Sequence, residues 1–168
     1  MPDAVPEISL LAAVLATGLS AGLFHAFFYA IMPALRRTGD HAFVTVMQHI
    51  NRVILNAWFA ACFAGAPLFS LVAVISHLGA PWRPVLPWAV AGLVLNVAMV
   101  AVTIAANVPR NERLDRAGDP DTIADLAAVR AEFERPWVRW NTVRTALNIA
   151  AFGCLAWALL LHGRLTGG

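Results

Sequence analysis

Four long apolar stretches fill most of this chain, and its positive charge gathers at one edge of them. Ten of the twelve arginines lie within 36–52 and 110–144, while Arg83 and Arg164 stand alone near the opposite ends of the stretches. A helix of about 20 apolar residues crosses a ~30 Å hydrocarbon core. Inside lipid every backbone N–H and C=O must be bonded within the segment, which leaves helices as the natural reading. The expected spans are 8–35, 53–76, 85–106 and 145–161. Composition agrees, with 60% hydrophobic and 13% charged residues, where a soluble domain has about one-quarter charged. One membrane domain, 1–168, accounts for the chain.

The charge placement orients it. Under the positive-inside rule the loops around 36–52 and 107–135 face the cytoplasm. Both termini are then outside, and the expected location is a bacterial inner membrane. The acidic Asp3 and Glu7 stand where a signal peptide carries positive charge, so the first stretch is expected to be a mature span. Nothing resembles a nucleic-acid-binding surface. Cys62 and Cys154 both sit inside apolar runs without a CxxC, which argues against thiol–disulfide chemistry.

Four antiparallel spans with short connections predict an all-α integral membrane four-helix bundle. A helix starting at Asp40, after Gly39, is expected to continue into span two. Pro81, Pro84 and Pro87 make the turn before span three. In the long third loop, Asp119-Pro120 reads as a helix start, and Ile123, Leu126, Val129 and Phe133 recur at helical spacing. This predicts an extra amphipathic surface helix over 120–134, lying on the membrane or folded over the bundle mouth as a lid. Span four is expected to begin its helix at Pro136.

Polar residues in the spans follow helical faces. Trp137, Asn141, Arg144 and Asn148 share one face of span four, Asn96, Thr103 and Asn107 one face of span three. His41, Gln48, Arg52 and Asn56 line the second helix, with His49 beside them. In span one His25 lies roughly 15 Å below the cytoplasmic edge on helical rise. It follows Gly18 and Gly22, a GxxxG spacing for close helix approach, and Tyr29 shares its face. A histidine at that depth suits a general base.

Plainer readings stand beside these. Asn and Thr in spans act as interhelical hydrogen-bond glue, worth about 0.6 kcal/mol on average. Arg52 and Arg144 can snorkel to lipid phosphates, and His25 can be a bonded core histidine. His41 and His49 fit solvated loop positions, and His77 and His162 the interface at the outer ends. No HxxxH or ExxH pair exists for a di-iron bundle site, and no cofactor is expected; a single metal held by His25, His41 and His49 is the alternative. Proton-driven transport is disfavoured, because the spans lack Asp and Glu relays.

The segments Ile31-Met32-Pro33-Ala34-Leu35, Val46-Met47-Gln48-His49-Ile50-Asn51-Arg52, Asn107-Val108-Pro109-Arg110-Asn111 and Trp137 to Thr145 come in an order that resembles the anthrone-oxygenase-like membrane proteins. The family's usual NVPLN is NVPRN here, with Arg110 in place of an apolar residue. The resemblance implies four spans and an O2-dependent oxidation of an apolar aromatic substrate, anthrone to anthraquinone. By motif position it carries over Gln48, Asn51, Asn107, Asn111, Trp140, Asn141 and Arg144.

An anthrone has an acidic methylene whose carbanion is delocalised as a phenolate. The expected base is His25 or His49, while Arg144 with Asn107 and Asn141 stabilises the phenolate. Trp137 and Trp140 would stack on the rings, and Tyr29, Gln48, Asn51, Asn56 and Asn111 complete the expected binding set. The partners are then the lipid bilayer, the aromatic substrate and O2. Two other classes remain open: a non-catalytic quinone- or lipid-binding bundle or assembly subunit, and a small-molecule permease.

Overall fold

The computed structural model describes residues 4–167. The chain is helical nearly throughout: α1 (Ala4–Ala26), α2 (Met32–Leu35), α3 (Asp40–Val53), α4 (Ala57–Ser76), α5 (Leu86–Val102), α6 (Val108–Arg116) and α7 (Leu126–Thr166). Two π-helical turns, Phe27–Ile31 and Thr103–Asn107, join α1 to α2 and α5 to α6 without a break. Four continuous helical units are therefore long and apolar enough to cross a membrane: Ala4–Leu35, Ala57–Ser76, Leu86–Arg116 and Leu126–Thr166. The expected all-α four-span bundle is borne out.

The π turns have a local cause. Each is followed two residues later by a proline, Pro33 or Pro109. A proline ring clashes with the carbonyl four residues before it and supplies no N–H. Inserting one extra residue into the preceding turn relieves the clash and rotates the residues before it. Within the two turns Phe27, Thr103 and Asn107 are buried.

The helices alternate in direction. Ser9 of α1 meets Ser76 at the end of α4, 3.3 Å apart, and His77 meets His162 near the end of α7, at 3.1 Å. These contacts gather the start of α1, the end of α4 and the end of α7 at one end of the bundle. A core of Leu10, Ala13, Ala73, Val85, Leu155 and Ala158 fills that end. Gly92 lets α5 and α7 close up, since a Cβ there would stand 2.6 Å from Leu155 Cγ. The proposed glycine pair on α1 behaves differently. Gly18 abuts Phe152, but nothing lies near Gly22.

At the other end the helices outrun the membrane. The 41 residues of α7 extend for roughly 60 Å, about twice the hydrocarbon thickness. Their first turns pack with α2, α3 and α6 around Met32, Leu35, Phe43, Met47, Leu114, Phe133 and Trp137. Arg130 pins this cap. It donates to Glu134 and Asp40 and to the carbonyls of Thr38 and Arg36, all at 2.8–3.0 Å, and lies over the Phe43 ring at 4.5 Å.

Three boundaries differ from expectation. The helix starting at Asp40 stops at Val53, and Asn56 caps a new one by accepting from Phe59 N at 3.0 Å. The amphipathic segment is no separate surface helix over 120–134. It forms the first turns of α7, starting after Asp125, whose carboxylate accepts from Ala128 N at 2.9 Å. Pro136 then lies inside α7 rather than at its start. Ile123, Leu126, Val129 and Phe133 do turn inward onto the cap core, so the lid reading describes their packing better than the surface one.

Candidate functional site

A cavity of about 390 Å³ opens where the bundle meets the cap. Phe24 and Phe27 come from α1 and its π turn, and Phe59 and Phe63 from α4. Thr103 and Ile104 come from the second π turn, and Trp137 and Arg144 from α7. Asn51, Arg52, Asn111, Glu112 and Asp115 form its polar rim. The volume is within the ~300–1,000 Å³ of small-molecule sites, and an aromatic wall with few polar groups is their usual make-up.

Arg144 is the one charged side chain on the buried wall, at 6% exposure. Its Nε donates to Asn141 Oδ1 at 3.0 Å, and Asn141 Nδ2 donates to the carbonyl of Phe24 at 3.2 Å. Its guanidinium lies 4.1 Å from the centroid of Phe24 and 5.2 Å from that of Trp137. Two aromatic faces thus hold the cation by their quadrupoles. Only Nε has a protein hydrogen-bond partner among the described residues, which leaves the outer nitrogens for a ligand.

Trp137 is fixed from behind. Its indole N–H donates to Asn111 Oδ1 at 2.7 Å, and its carbonyl accepts from Asn107 Nδ2 at 3.3 Å. Phe133 stacks on it at 5.8 Å and Phe27 tilts against it at 5.5 Å. Asn107 is fully buried, with its Oδ1 unpartnered. At the rim Arg52 pairs with Asp115 at 2.6 Å, while Glu112 stands 3.9 Å from Arg116.

The expected site residues divide into those the cavity gathers and those it does not. Asn51, Asn111, Trp137 and Arg144 line the cavity, with Asn107 and Asn141 directly behind the wall. Gln48 is buried but acts as a latch, donating to the carbonyls of Leu114 and Gly118 at 2.8 and 2.9 Å. The Leu114 carbonyl is one of those left without a helical partner in the last turn of α6, and Gly118, just beyond the helix, adopts φ +90°. Asn56 is an exposed helix cap, and Trp140 is half-buried away from the cavity wall.

His25 and Tyr29 share a face, as expected, but that face is exposed on the outside of the bundle. Their rings pack on each other at 4.8 Å. The inward face of α1 is the stripe of Ala13, Ala16, Thr17, Ser20, Ala21 and Phe24, which excludes the imidazole. His49 lies exposed beside an open depression with His41, and His41 pairs with Asp121 at 2.7 Å. Among the described residues no three His, Cys, Asp or Glu stand close enough to hold a metal; His25, His41 and His49 do not form one cluster.

Phe24, Phe27, Phe59 and Phe63 on the wall and Glu112 and Asp115 at the rim are not among the expected site residues. Spacings of three and four between the phenylalanines were the available signal. His77 and His162, expected at the interface, are both buried. His77 Nδ1 meets the Ala73 carbonyl at 2.6 Å, and Trp82 stacks on His162 at 4.5 Å.

No curated protein and no solved structure matches this chain. A family model described as anthrone oxygenase matches residues 43–154, about two-thirds of the length. The matched segment holds the rim, the Trp137–Asn141–Arg144 face and the cap apart from α2 and the start of α3, and the chain belongs to the anthrone oxygenase family.

Proposed function

We propose that the cavity oxidises an apolar aromatic substrate with O2, as in conversion of an anthrone to an anthraquinone. The observation that carries this reading is the Arg144 guanidinium, held between Phe24 and Trp137 on the wall of an aromatic cavity. A flat tricycle would lie among Phe24, Phe27, Phe63 and Trp137, with its oxygen toward Arg144. Removing a methylene proton makes a phenolate, which the free nitrogens of Arg144 stabilise by charge-assisted hydrogen bonds. The electron-rich anion then reduces O2. One oxygen atom becomes the new carbonyl, and the other leaves as water with the two methylene hydrogens.

His25 and His49 do not line the cavity, so we assign the base to its rim. Asp115 is engaged by Arg52, whereas Glu112 has only the looser contact with Arg116. Glu112 is therefore the proposed proton acceptor. The cap faces the cytoplasm in this reading, with both termini outside a bacterial inner membrane, as the arginine distribution favours.

The test is oxygen uptake and quinone formation by the purified protein given an anthrone, measured against the spontaneous rate. Turnover above background, unaffected by a chelator and reduced in Glu112→Gln, is the expected result. A wild-type rate equal to background sinks the oxidative reading. Saturable quinone binding without oxygen consumption would instead identify a binding bundle.

A further inference from the structure

Asn148 lies one turn beyond Arg144 on the same face of α7, roughly 6 Å deeper in the bundle. It is fully buried, yet neither its Nδ2 nor its Oδ1 has a hydrogen-bond partner. Asn96, also fully buried, donates to Thr17 Oγ1 at 2.9 Å and Ser70 Oγ at 3.1 Å and leaves its Oδ1 unpartnered. The close approach of Gly92 and Leu155 sets the antiparallel register. It puts Met99 opposite Asn148 and Asn96 about one turn further in. A polar lane thus runs inward from the Arg144 wall through Asn148 to Asn96, Thr17 and Ser70.

An amide left without partners in an apolar medium costs several kcal/mol, and lipid offers no hydrogen bonds to offset this. The missing partners define the ligand's chemistry. Asn148 Oδ1 needs a donor, Asn148 Nδ2 an acceptor, and Asn96 Oδ1 another donor. An aromatic ring or O2 supplies neither function well. A water molecule supplies both and is held where two to four polar groups surround it.

We infer that Asn148 and Asn96 bind a file of internal water molecules in the bundle, reaching from mid-membrane to the Arg144 guanidinium. The file solvates the inner side of the cation, on the side away from the polar rim. Each oxidation releases one water molecule beside Arg144, where it exchanges with the file. That use rests on the oxidation proposed above; the water binding itself does not.

Radiolytic hydroxyl labelling of the protein in lipid nanodiscs tests this without any substrate. Hydroxyl radicals formed from bound water oxidise neighbouring methionines, even those closed to bulk solvent. Met99 is 0% exposed, and the equally buried Met32 and Met47 belong to the apolar cap core and serve as dry controls. We expect Met99 to be oxidised several-fold faster than Met32 and Met47, and to fall to their level in Asn148→Leu. Unchanged rates at Met32 and Met47 in the variant report that the fold is retained. The inference is overturned if wild-type Met99 reacts no faster than the controls, or if the substitution leaves its rate unaltered. Neither result bears on whether anthrone is oxidised.

Discussion

Replacing Arg144 with methionine separates a residue kept for chemistry from one kept for stability. Burying an ion costs several kcal/mol even after the surroundings relax. Against that stand one charged hydrogen bond to Asn141, about 1.5–3 kcal/mol, and two cation–π contacts of about 2 kcal/mol or less each. The 5.2 Å contact to Trp137 is the weaker of these. Gains and cost nearly cancel, so Arg144 adds little to the fold. Methionine keeps the length and contacts both rings through sulfur at about 0.3–1.5 kcal/mol each. Asn141 Oδ1 loses its donor, at about 1–3 kcal/mol, which offsets part of the relief. The expected stability change is between zero and a gain of about 2 kcal/mol. At about 2–4 °C per kcal/mol in a chain of this size, thermal unfolding in detergent should show Tm unchanged or raised by up to about 8 °C. Quinone formation over the same samples should fall by about 10²–10³, as when a charge-stabilising donor is removed. A Tm loss above about 10 °C, with turnover falling only as the folded fraction falls, would overturn the catalytic assignment. Arg144 would then be structural.

Arg130→Ala should destabilise the cap by about 3 kcal/mol, because Arg130 and Glu134 are each only 13% exposed. Arg36→Ala, at a 59% exposed partner of the same carboxylate, should cost about 0.5 kcal/mol; equal losses in chemical unfolding would contradict that ranking. Gly92→Ala should cost about 1–3 kcal/mol by overpacking and regain much of it with Leu155→Ala. Additive losses in the double variant would mean the two side chains do not compete for space. Burial holds the His77 imidazole below its ordinary pKa of 6.5, more than the Ala73 carbonyl raises it, and His162 lowers it further. The unfolded chain then binds the proton first, so this stability is complete above pH 6.5 and drains as pH falls toward the lowered folded value. Tm should drop over that window in wild type and drop less in His77→Phe; parallel curves would exclude the histidine.

The sequence carries the four spans because lipid imposes their length and apolarity, and no tertiary contact overrides that demand. It carries the boundaries less well. Asn56 ends one helix and caps the next without a glycine or proline to announce it. Pro136 looks like a first helical position, where the missing N–H costs nothing. Yet α7 runs through it, because packing of Phe133 and Trp137 on the cap and the Arg130 bonds secure the turns on both sides. Local rules see the proline and miss these distant partners.

The candidate site divides along the same line. Trp137, Asn141 and Arg144 could be placed together because they share one face of one helix, and the periodicity fixes that face whatever packs against it. His25 could not be placed this way. Its periodicity paired it with Tyr29 correctly, but which face turns inward depends on what the neighbouring helices admit. In a bundle packed by van der Waals contact small residues mark the interface, but α1 carries them on two faces: Ala13, Ala16, Thr17, Ser20 and Ala21 are buried, whereas Gly22, one turn before His25, meets no neighbour. The longer of the two stripes is the one that packs, which directs Phe24 inward and His25 out. Glu112 and Asp115 escaped notice for a different reason: they follow the apolar run and read as loop. The π turn above Pro109 instead continues the helix beyond the span and brings both carboxylates to the rim of the cavity that Arg144 lines. The prolines that look like helix ends therefore let these helices pass from the membrane into the cap, and in doing so join an apolar cavity to its charged rim.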